Sequence, residues 1–208
     1  SVGLLMAHCR DAKAFLHASS AAVYDPPDDE PRTETTALGD NHKHLFPTYS
    51  ISKIAGETVA RTMARVLGLP TVIARLNVPY GDNGGWQFYQ MEMMLAGVPI
   101  PVPPGGPARY NPIHEEDILA TLPGLLDAAS VPATTVNWCG DQTVSIQEWC
   151  SYIGELVGRE PVFVEDVTAL RGGPTDPSRL HELVGGTSVD WRDGIRRMVT
   201  KFHPELVG

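Results

Sequence analysis

The sequence lacks the features of a membrane or exported protein. No apolar run approaches the roughly 18 to 20 residues of a membrane-spanning helix, and the N-terminus lacks the charged-then-apolar layout of a signal peptide. Its three cysteines are far apart in apolar surroundings, which favours reduced core thiols at Cys9, Cys139 and Cys150. No basic cluster offsets the net charge of -9, which argues against nucleic acid or an anionic membrane as partner. We therefore expect a globular cytoplasmic protein.

Three short apolar segments are continuous rather than alternating, as buried parallel strands are. They lie at residues 14–18, 71–76 and 135–139. Helical patterns surround them at residues 2–10, 48–67, 88–96, 115–129, from Ser145 onward, and at 191–202. The second of these helices is predicted to bury an apolar stripe of Ile54, Val59, Met63, Val66 and Leu67, and Ser145 with Glu148 predicts a capping box at the start of the fifth. Pro123 is expected to kink or break the fourth of these helices. Strand and helix in alternation predict an α/β fold, with a parallel sheet and helices on its faces.

Glycine is scarce near the start of the sequence, where the first forty residues contain only Gly3 and Gly39. A doubly wound nucleotide-binding sheet normally has about six strands and a glycine-rich turn after the first of them. Only three core strands and no such turn are found here. The sequence therefore predicts part of such a sheet, without its phosphate-cradling half.

Tyr49 and Lys53 are four residues apart at the start of a predicted helix. Because four residues make about one turn, the phenol and the ammonium project from the same face. A nearby ammonium favours the phenolate form of tyrosine, which can exchange protons with a substrate hydroxyl. A hydroxyl at the end of a neighbouring strand, such as that of Ser20, could hold the same substrate oxygen. Tyr-x-x-x-Lys alone is common on solvated helices, so this interpretation depends on its context.

Five segments together resemble the extended short-chain dehydrogenase/reductases, and within them the NAD-dependent epimerase/dehydratase group. These are His17–Tyr24 (HASSAAVY), Tyr49–Lys53 (YSISK), Arg75–Gly81 (RLNVPYG), Pro112–Ile118 (PIHEEDI) and Asn137–Gly140 (NWCG). They occur in the family's order across the whole chain. The resemblance implies a partial Rossmann-like doubly wound sheet with a small C-terminal substrate lobe, and NAD or NADP as cofactor. It also implies a small-molecule substrate, of which nucleotide sugars are the best-known examples.

The resemblance assigns roles by position. Ser20 corresponds to the catalytic serine or threonine, Tyr49 to the acid/base, and Lys53 to the lysine that supports the phenolate and bonds the nicotinamide ribose. The implied substrate-binding residues are Ser20, Tyr24, Asn77 and Arg109. Tyr24 could equally be a packing aromatic after a strand.

Several positions depart from the family pattern. Family dehydratases place Asp-Glu directly after the catalytic serine or threonine, where this sequence has Ala21 and Ala22, so sugar 4,6-dehydration is not expected. The substrate-binding Asn normally stands three residues after the Arg, but Asn77 stands two after Arg75. For the arginine that grips a nucleotide diphosphate, neither Arg109 nor Arg171 has the family's spacing. These departures leave a nucleotide sugar as one candidate for the substrate.

The resemblance also divides the chain. Residues 1–80 with 111–145 would form the C-terminal half of the NAD(P)-binding domain, and residues 81–110 with 146–208 the substrate lobe. Family members often dimerise through helices that flank the sheet, so a homodimer is possible. No metal site is expected, because His42 and His44 lie in an acidic loop without a third ligand of fixed geometry. The alternative to an enzyme is a non-catalytic scaffold or a fragment of a larger protein.

Overall fold

The computed structural model describes residues 1–25, 30–44 and 46–206. Its helices are α1 (Val2–His8), α2 (Tyr49–Leu67), α3 (Trp86–Leu95), α4 (Glu115–Asp127), α5 (Ile146–Val157), α6 (Ser178–Val184) and α7 (Trp191–Phe202). Its strands are β1 (Phe15–Ser20), β2 (Thr71–Leu76), β3 (Pro79–Gly81), β4 (Gly84–Gly85), β5 (Ile100–Val102), β6 (Arg109–Tyr110), β7 (Ile113–His114), β8 (Thr134–Trp138), β9 (Val144–Ser145) and β10 (Phe163–Glu165). None of the helices in these ranges has the length and apolarity to span a membrane.

The centre of the fold is a parallel sheet in the order β1-β2-β8. Ser20 at the end of β1 pairs with Leu76 at the end of β2, which pairs with Trp138 at the end of β8. The carboxyl ends of the three strands are therefore level and form one edge of the sheet. All three predicted core strands and their parallel arrangement are confirmed.

Helices cover both faces of this sheet, as the strand–helix alternation predicted. Because successive side chains of a strand point to opposite faces, Ile73 of β2 packs towards α1 and α2, with Met6, Ala60 and Ala64. Val72 and Ala74 point the other way and pack with residues of α4 and α6, including Leu125 and Leu180. The two apolar clusters hold the strands rigidly between helical layers.

A further hydrophobic core lies beside the sheet and is formed mainly by α3, α5 and α7. Its buried members include Met91, Trp149, Ile153, Ile195 and Met198. Helix α5 begins with the predicted capping box, in which the Ser145 hydroxyl accepts from Glu148 N at 3.1 Å and the Glu148 carboxylate accepts from Ser145 N at 2.7 Å.

Two expectations for helices need correction. Helix α4 does not break at Pro123, since it continues to Asp127. The apolar stripe predicted for α2 is wrong in part, because Val59 and Val66 are 39% and 70% exposed. The face of α2 towards the sheet instead carries small alanines and the buried Glu57, which a hydrophobicity pattern does not register.

Candidate active site

A small cavity opens at the carboxyl edge of the parallel sheet. Its volume of about 70 Å³ would hold a few waters or one end of a larger ligand. It is lined by Ser20, Ala21, Ala22, Asn41, His42, Leu76, Asn77, Val78, Tyr110, Gly172 and Gly173. Ligands bind outside the carboxyl ends of the strands in open α/β sheets. This cavity is therefore the candidate active site.

Ser20 ends β1 at the cavity, and its orientation is set by a local cap. Its Oγ accepts from Ala22 N at 3.2 Å, which starts the short 3-10 turn Ala21–Val23. Ser19, its neighbour, points to the other face of the strand and donates to Glu57 Oε1 at 2.6 Å. Of the two adjacent serines, only Ser20 is among the residues that line the cavity.

Tyr49 and Lys53 share a face of the first turn of α2, as their spacing predicted. The Lys53 Nζ lies 5.8 Å from the centroid of the Tyr49 ring. The same Nζ donates to the carbonyl of Ala18 at 3.1 Å, two residues before Ser20. This bond ties the start of α2 to the strand that delivers Ser20.

The chain enters α2 through an unusual backbone conformation. Thr48 directly precedes Tyr49 with φ 68°, in the left-handed region that few non-glycine residues adopt. Val78, in the cavity lining, also has a positive φ of 36°. Such conformations cluster at functional sites, where the surrounding structure holds them in place.

His42 connects the cavity to Tyr49. Its ring centroid lies 5.7 Å from that of Tyr49, and its backbone N–H donates to Ser50 Oγ at 3.3 Å. Tyr49 itself does not line the cavity. Spacing considerations had weighed His42 only as a metal ligand, and nothing in the sequence indicated this position beside Tyr49.

Tyr24 and Arg109 lie away from the cavity. Tyr24 is 1% exposed, its hydroxyl donates to Asn137 Oδ1, and the Arg75 guanidinium lies 4.9 Å from its ring centroid. Burial raises the pKa of Tyr24 to about 12, even though the charge of Arg75 opposes the shift. Arg109 is exposed on β6 and precedes Tyr110, which lines the cavity. Neighbouring strand residues face opposite sides.

Asn77 lines the cavity but its amide is already bonded. Its Nδ2 donates to Thr175 Oγ1 at 3.0 Å, and the residue is 2% exposed. This bond joins the end of β2 to the segment after β10, which also supplies Gly172 and Gly173 to the cavity.

A buried ion pair underlies the site. Arg75 donates through Nε and Nη2 to the two carboxylate oxygens of Glu57 at 2.9 and 2.8 Å. Burial alone would raise the pKa of Glu57, but the bonds and charge of Arg75, with Ser19 and Arg61, lower it overall. The pair links α2, β2 and β1, the three elements on which Tyr49, Asn77 and Ser20 depend.

His114 and Asp117 each serve as a structural hydrogen-bonding group. His114 Nδ1 accepts from Glu116 N at 3.2 Å and caps α4, while Asp117 accepts from the backbone of Ser188 and Val189. They do not bond each other. In the described ranges there is also no cluster of three or more His, Cys, Asp or Glu side chains able to hold a metal.

The fold and cavity define an α/β protein of the kind that binds ligands at the carboxyl edge of a parallel sheet. Residues 3–132 match the model of the NAD dependent epimerase/dehydratase family, and the chain belongs to that family. A curated relative, the uncharacterized protein y4nG of Sinorhizobium fredii, is 30% identical over 106 residues, which cover 50% of this chain and 25% of the relative.

Solved structures share the fold. A UDP-glucuronic acid 4-epimerase from Bacillus cereus, solved with UDP-glucuronic acid and NAD, has a TM-score of 0.80 at 19% identity. The match covers 98% of this chain and 66% of that one. A UDP-glucose 4-epimerase from Thermus thermophilus, solved with NAD, has a TM-score of 0.78 at 22% identity, covering 96% of this chain and 68% of that one. The Rossmann-like fold expected from the resemblance is confirmed.

Proposed function

We propose that this chain carries the proton-transfer residues of an NAD(P)-dependent oxidoreductase or epimerase that acts on a hydroxyl-bearing substrate. The observation that carries the proposal is the bond from Lys53 Nζ to Ala18 O at 3.1 Å. This bond holds the Tyr49–Lys53 turn of α2 against the strand that ends at Ser20, which supports a joint role for the three side chains.

Tyr49, Lys53 and Ser20 have separate roles in the proposed proton transfer. Tyr49 is the acid/base that exchanges the proton of the substrate hydroxyl through its phenol oxygen, and Lys53 holds the turn that carries Tyr49 against β1. Ser20 donates a hydrogen bond to the same oxygen as its charge changes. Ala21 and Ala22 line the cavity at the two positions where family dehydratases have Asp and Glu. Without that pair, no carboxyl group at these positions can help expel a hydroxyl from the sugar, which favours oxidation or epimerisation over 4,6-dehydration.

The residues present fit the nicotinamide end of a dinucleotide. An ammonium has three donor hydrogens, and Lys53 uses one for Ala18 O, so others can reach ribose hydroxyls. Within the described residues β1 pairs only with β2, which leaves an edge where further strands of a dinucleotide-binding sheet can pair. The bound nicotinamide supplies the hydride chemistry.

A nucleotide sugar is the proposed substrate class. The similar Bacillus cereus enzyme is a UDP-glucuronic acid 4-epimerase, and the similar Thermus thermophilus enzyme is a UDP-glucose 4-epimerase. This chain spans only about two thirds of their length, so the substrate and activity of the whole protein are part of the proposal. The small cavity of about 70 Å³ suits one group of a sugar ring rather than the whole molecule.

Two further expectations belong to the same proposal. Residues 1–80 with 111–145 form the cofactor-binding part, and residues 81–110 with 146–208 the substrate lobe. A homodimer through α1 and α2 would cover Leu4, Leu5 and Val66, which are 75%, 55% and 70% exposed.

The test is turnover by the full-length protein with UDP-sugars and NAD or NADP, followed by absorbance of the reduced nicotinamide and by product analysis. Replacing Tyr49→Phe removes the proton acceptor and should lower turnover by about 10²- to 10⁴-fold. The matched control is Tyr89→Phe on α3, where the ring is 66% exposed, and it should leave turnover unchanged. Circular dichroism should match the wild type for both variants. Near wild-type turnover by Tyr49→Phe would contradict the proposal.

A further inference from the structure

Gly172 and Gly173 form one wall of the active-site cavity. They belong to residues 166–177, which connect β10 to α6. The cavity behind this wall has a volume of about 70 Å³, whereas pockets for small-molecule ligands are about 300–1,000 Å³. Because the proposed substrate lobe consists of residues of this chain, the additional room for a nucleotide sugar has to come from movement of its walls.

The connecting segment is tied to the rest of the molecule at both ends. At its start, Asp166 N donates to Val102 O at 2.9 Å. Towards its end, Thr175 N donates to Asn111 Oδ1 at 2.9 Å, and Thr175 Oγ1 accepts from Asn77 Nδ2 at 3.0 Å. The buried Thr175 therefore fixes the segment directly after the glycines.

The middle of the segment, residues 170–173, is held in a different way. Within the described ranges it makes no backbone–backbone hydrogen bond. Instead the Tyr110 hydroxyl donates to Leu170 O at 3.1 Å and accepts from Gly172 N at 2.8 Å. The Arg171 guanidinium adds a bond to a backbone carbonyl at 2.8 Å. One hydroxyl thus makes two of the three bonds that hold this part of the wall in place.

The packing of the segment is close but not apolar. A Cβ on Gly172 would overlap the Tyr110 ring, and a Cβ on Gly173 would overlap the Arg32 guanidinium, so the absence of side chains lets the wall lie flat. Among the described residues, none of 166–177 belongs to an apolar core cluster, and Val167 is 82% exposed. A segment with few buried apolar contacts opens locally at low cost in free energy.

We propose that residues 170–173 form a strap over the active-site cavity, held closed by the Tyr110 hydroxyl, and that the strap lifts to admit a nucleotide sugar. This inference rests on the proposed function and gives Tyr110 a role in the entry of its substrate. Because the ends of the segment are tied separately, the strap can release its two bonds to Tyr110 while the parallel sheet stays folded.

The first measurement is hydrogen exchange of the full-length protein without ligand, by mass spectrometry of peptides that span residues 170–173. Tyr110→Phe keeps the ring and removes both bonds to the strap, so exchange there should be about tenfold faster. Tyr152→Phe is the matched control, because its hydroxyl accepts from Arg196 Nη2 at 2.9 Å and lies outside the cavity lining. It should leave exchange at residues 170–173 unchanged.

The second measurement is the association rate of UDP-glucose and of UDP-glucuronic acid with the same proteins, by stopped-flow tryptophan fluorescence. If only the open form admits the ligand, the association rate follows the open fraction. Tyr110→Phe should therefore raise it about tenfold, in parallel with exchange. Gly172→Ala unseats the strap by a different route, since its Cβ would overlap the Tyr110 ring, and both rates should again rise.

Faster exchange together with faster association in Tyr110→Phe and Gly172→Ala, but not in Tyr152→Phe, would support the proposal. It would be overturned if exchange in Tyr110→Phe stayed at the wild-type rate, if faster exchange left association unchanged, or if neither UDP-sugar bound. Slower association in Gly172→Ala would also overturn it, since the added methyl group would then fill the site instead of lifting its wall. Neither measurement requires turnover, so these outcomes are separate from near wild-type turnover by Tyr49→Phe, which contradicts the proposed function.

Discussion

The buried pair between Glu57 and Arg75 offers the sharpest test of how the site is held together. Both side chains are 2% exposed and meet through two charge-assisted bonds. Replacing Glu57→Gln keeps the shape of the side chain but leaves the Arg75 cation buried without its counter-charge. Removing one partner of a buried pair costs about 3–5 kcal/mol in unfolding free energy. At about 2–4 °C per kcal/mol for a domain of this size, the melting temperature should fall by roughly 6–20 °C.

The assay is urea denaturation of wild type and Glu57→Gln, followed by circular dichroism. Arg61→Gln is the matched control, because Arg61 also pairs with Glu57, at 3.2 Å, but its side chain is 40% exposed. A solvent-exposed partner should contribute no more than about 1 kcal/mol. The double variant with Arg75→Gln should recover part of the loss, since the two residues interact directly.

The pH dependence follows from the direction of the pKa shift. The pKa of Glu57 is lowered in the folded protein from its ordinary value of 4.5, so the carboxylate contributes stability above that value. This contribution is lost as the pH falls through the lower folded pKa. The difference between wild type and Glu57→Gln should therefore narrow as the pH falls below 4.5. A loss below about 1 kcal/mol at neutral pH, or a gap that does not change in acid, would refute the reasoning.

Two other outcomes are expected. Tyr24→Phe removes the hydroxyl that donates to the buried Asn137 Oδ1 and should lower the unfolding free energy by about 1–3 kcal/mol in urea denaturation; a change within about 0.3 kcal/mol would argue that this bond has no net value. Burial raises the pKa of both Cys139 and Cys150 to about 12, so both should resist iodoacetamide in the native protein at pH 8 while the half-buried Cys9 reacts. Mass mapping of the labelled peptides checks this, and early labelling of Cys139 or Cys150 would contradict it.

Local signals in the sequence predicted most of the secondary structure. The apolar run 71–76 is β2, and the capping box from Ser145 to Glu148 starts α5. Helix α6 (Ser178–Val184) was not predicted, because its seven residues are too few for a helical period to stand out in the sequence, although Leu180, Leu183 and Val184 do pack on the core from one face. The exposed valines of α2 misled the apolar-stripe prediction for a different reason. A pattern of hydrophobicity assumes that the apolar side is buried, whereas here the buried side carries Glu57 opposite Arg75.

Local sequence signals were enough to predict the three core strands, six of the seven helices in the described ranges, the order of these elements, the spacing of Tyr49 and Lys53, and the place of Ser20 at the end of a strand. These are local properties, set by helical and strand periods and by turn chemistry. Three-dimensional packing sets which residues share the cavity, since its walls come from segments as distant as residues 20–22, 41–42, 76–78, 110 and 172–173. It alone moved Tyr24 into the core and brought His42 beside Tyr49. Contacts between distant segments depend on how the layers pack, and no short-range spacing encodes them.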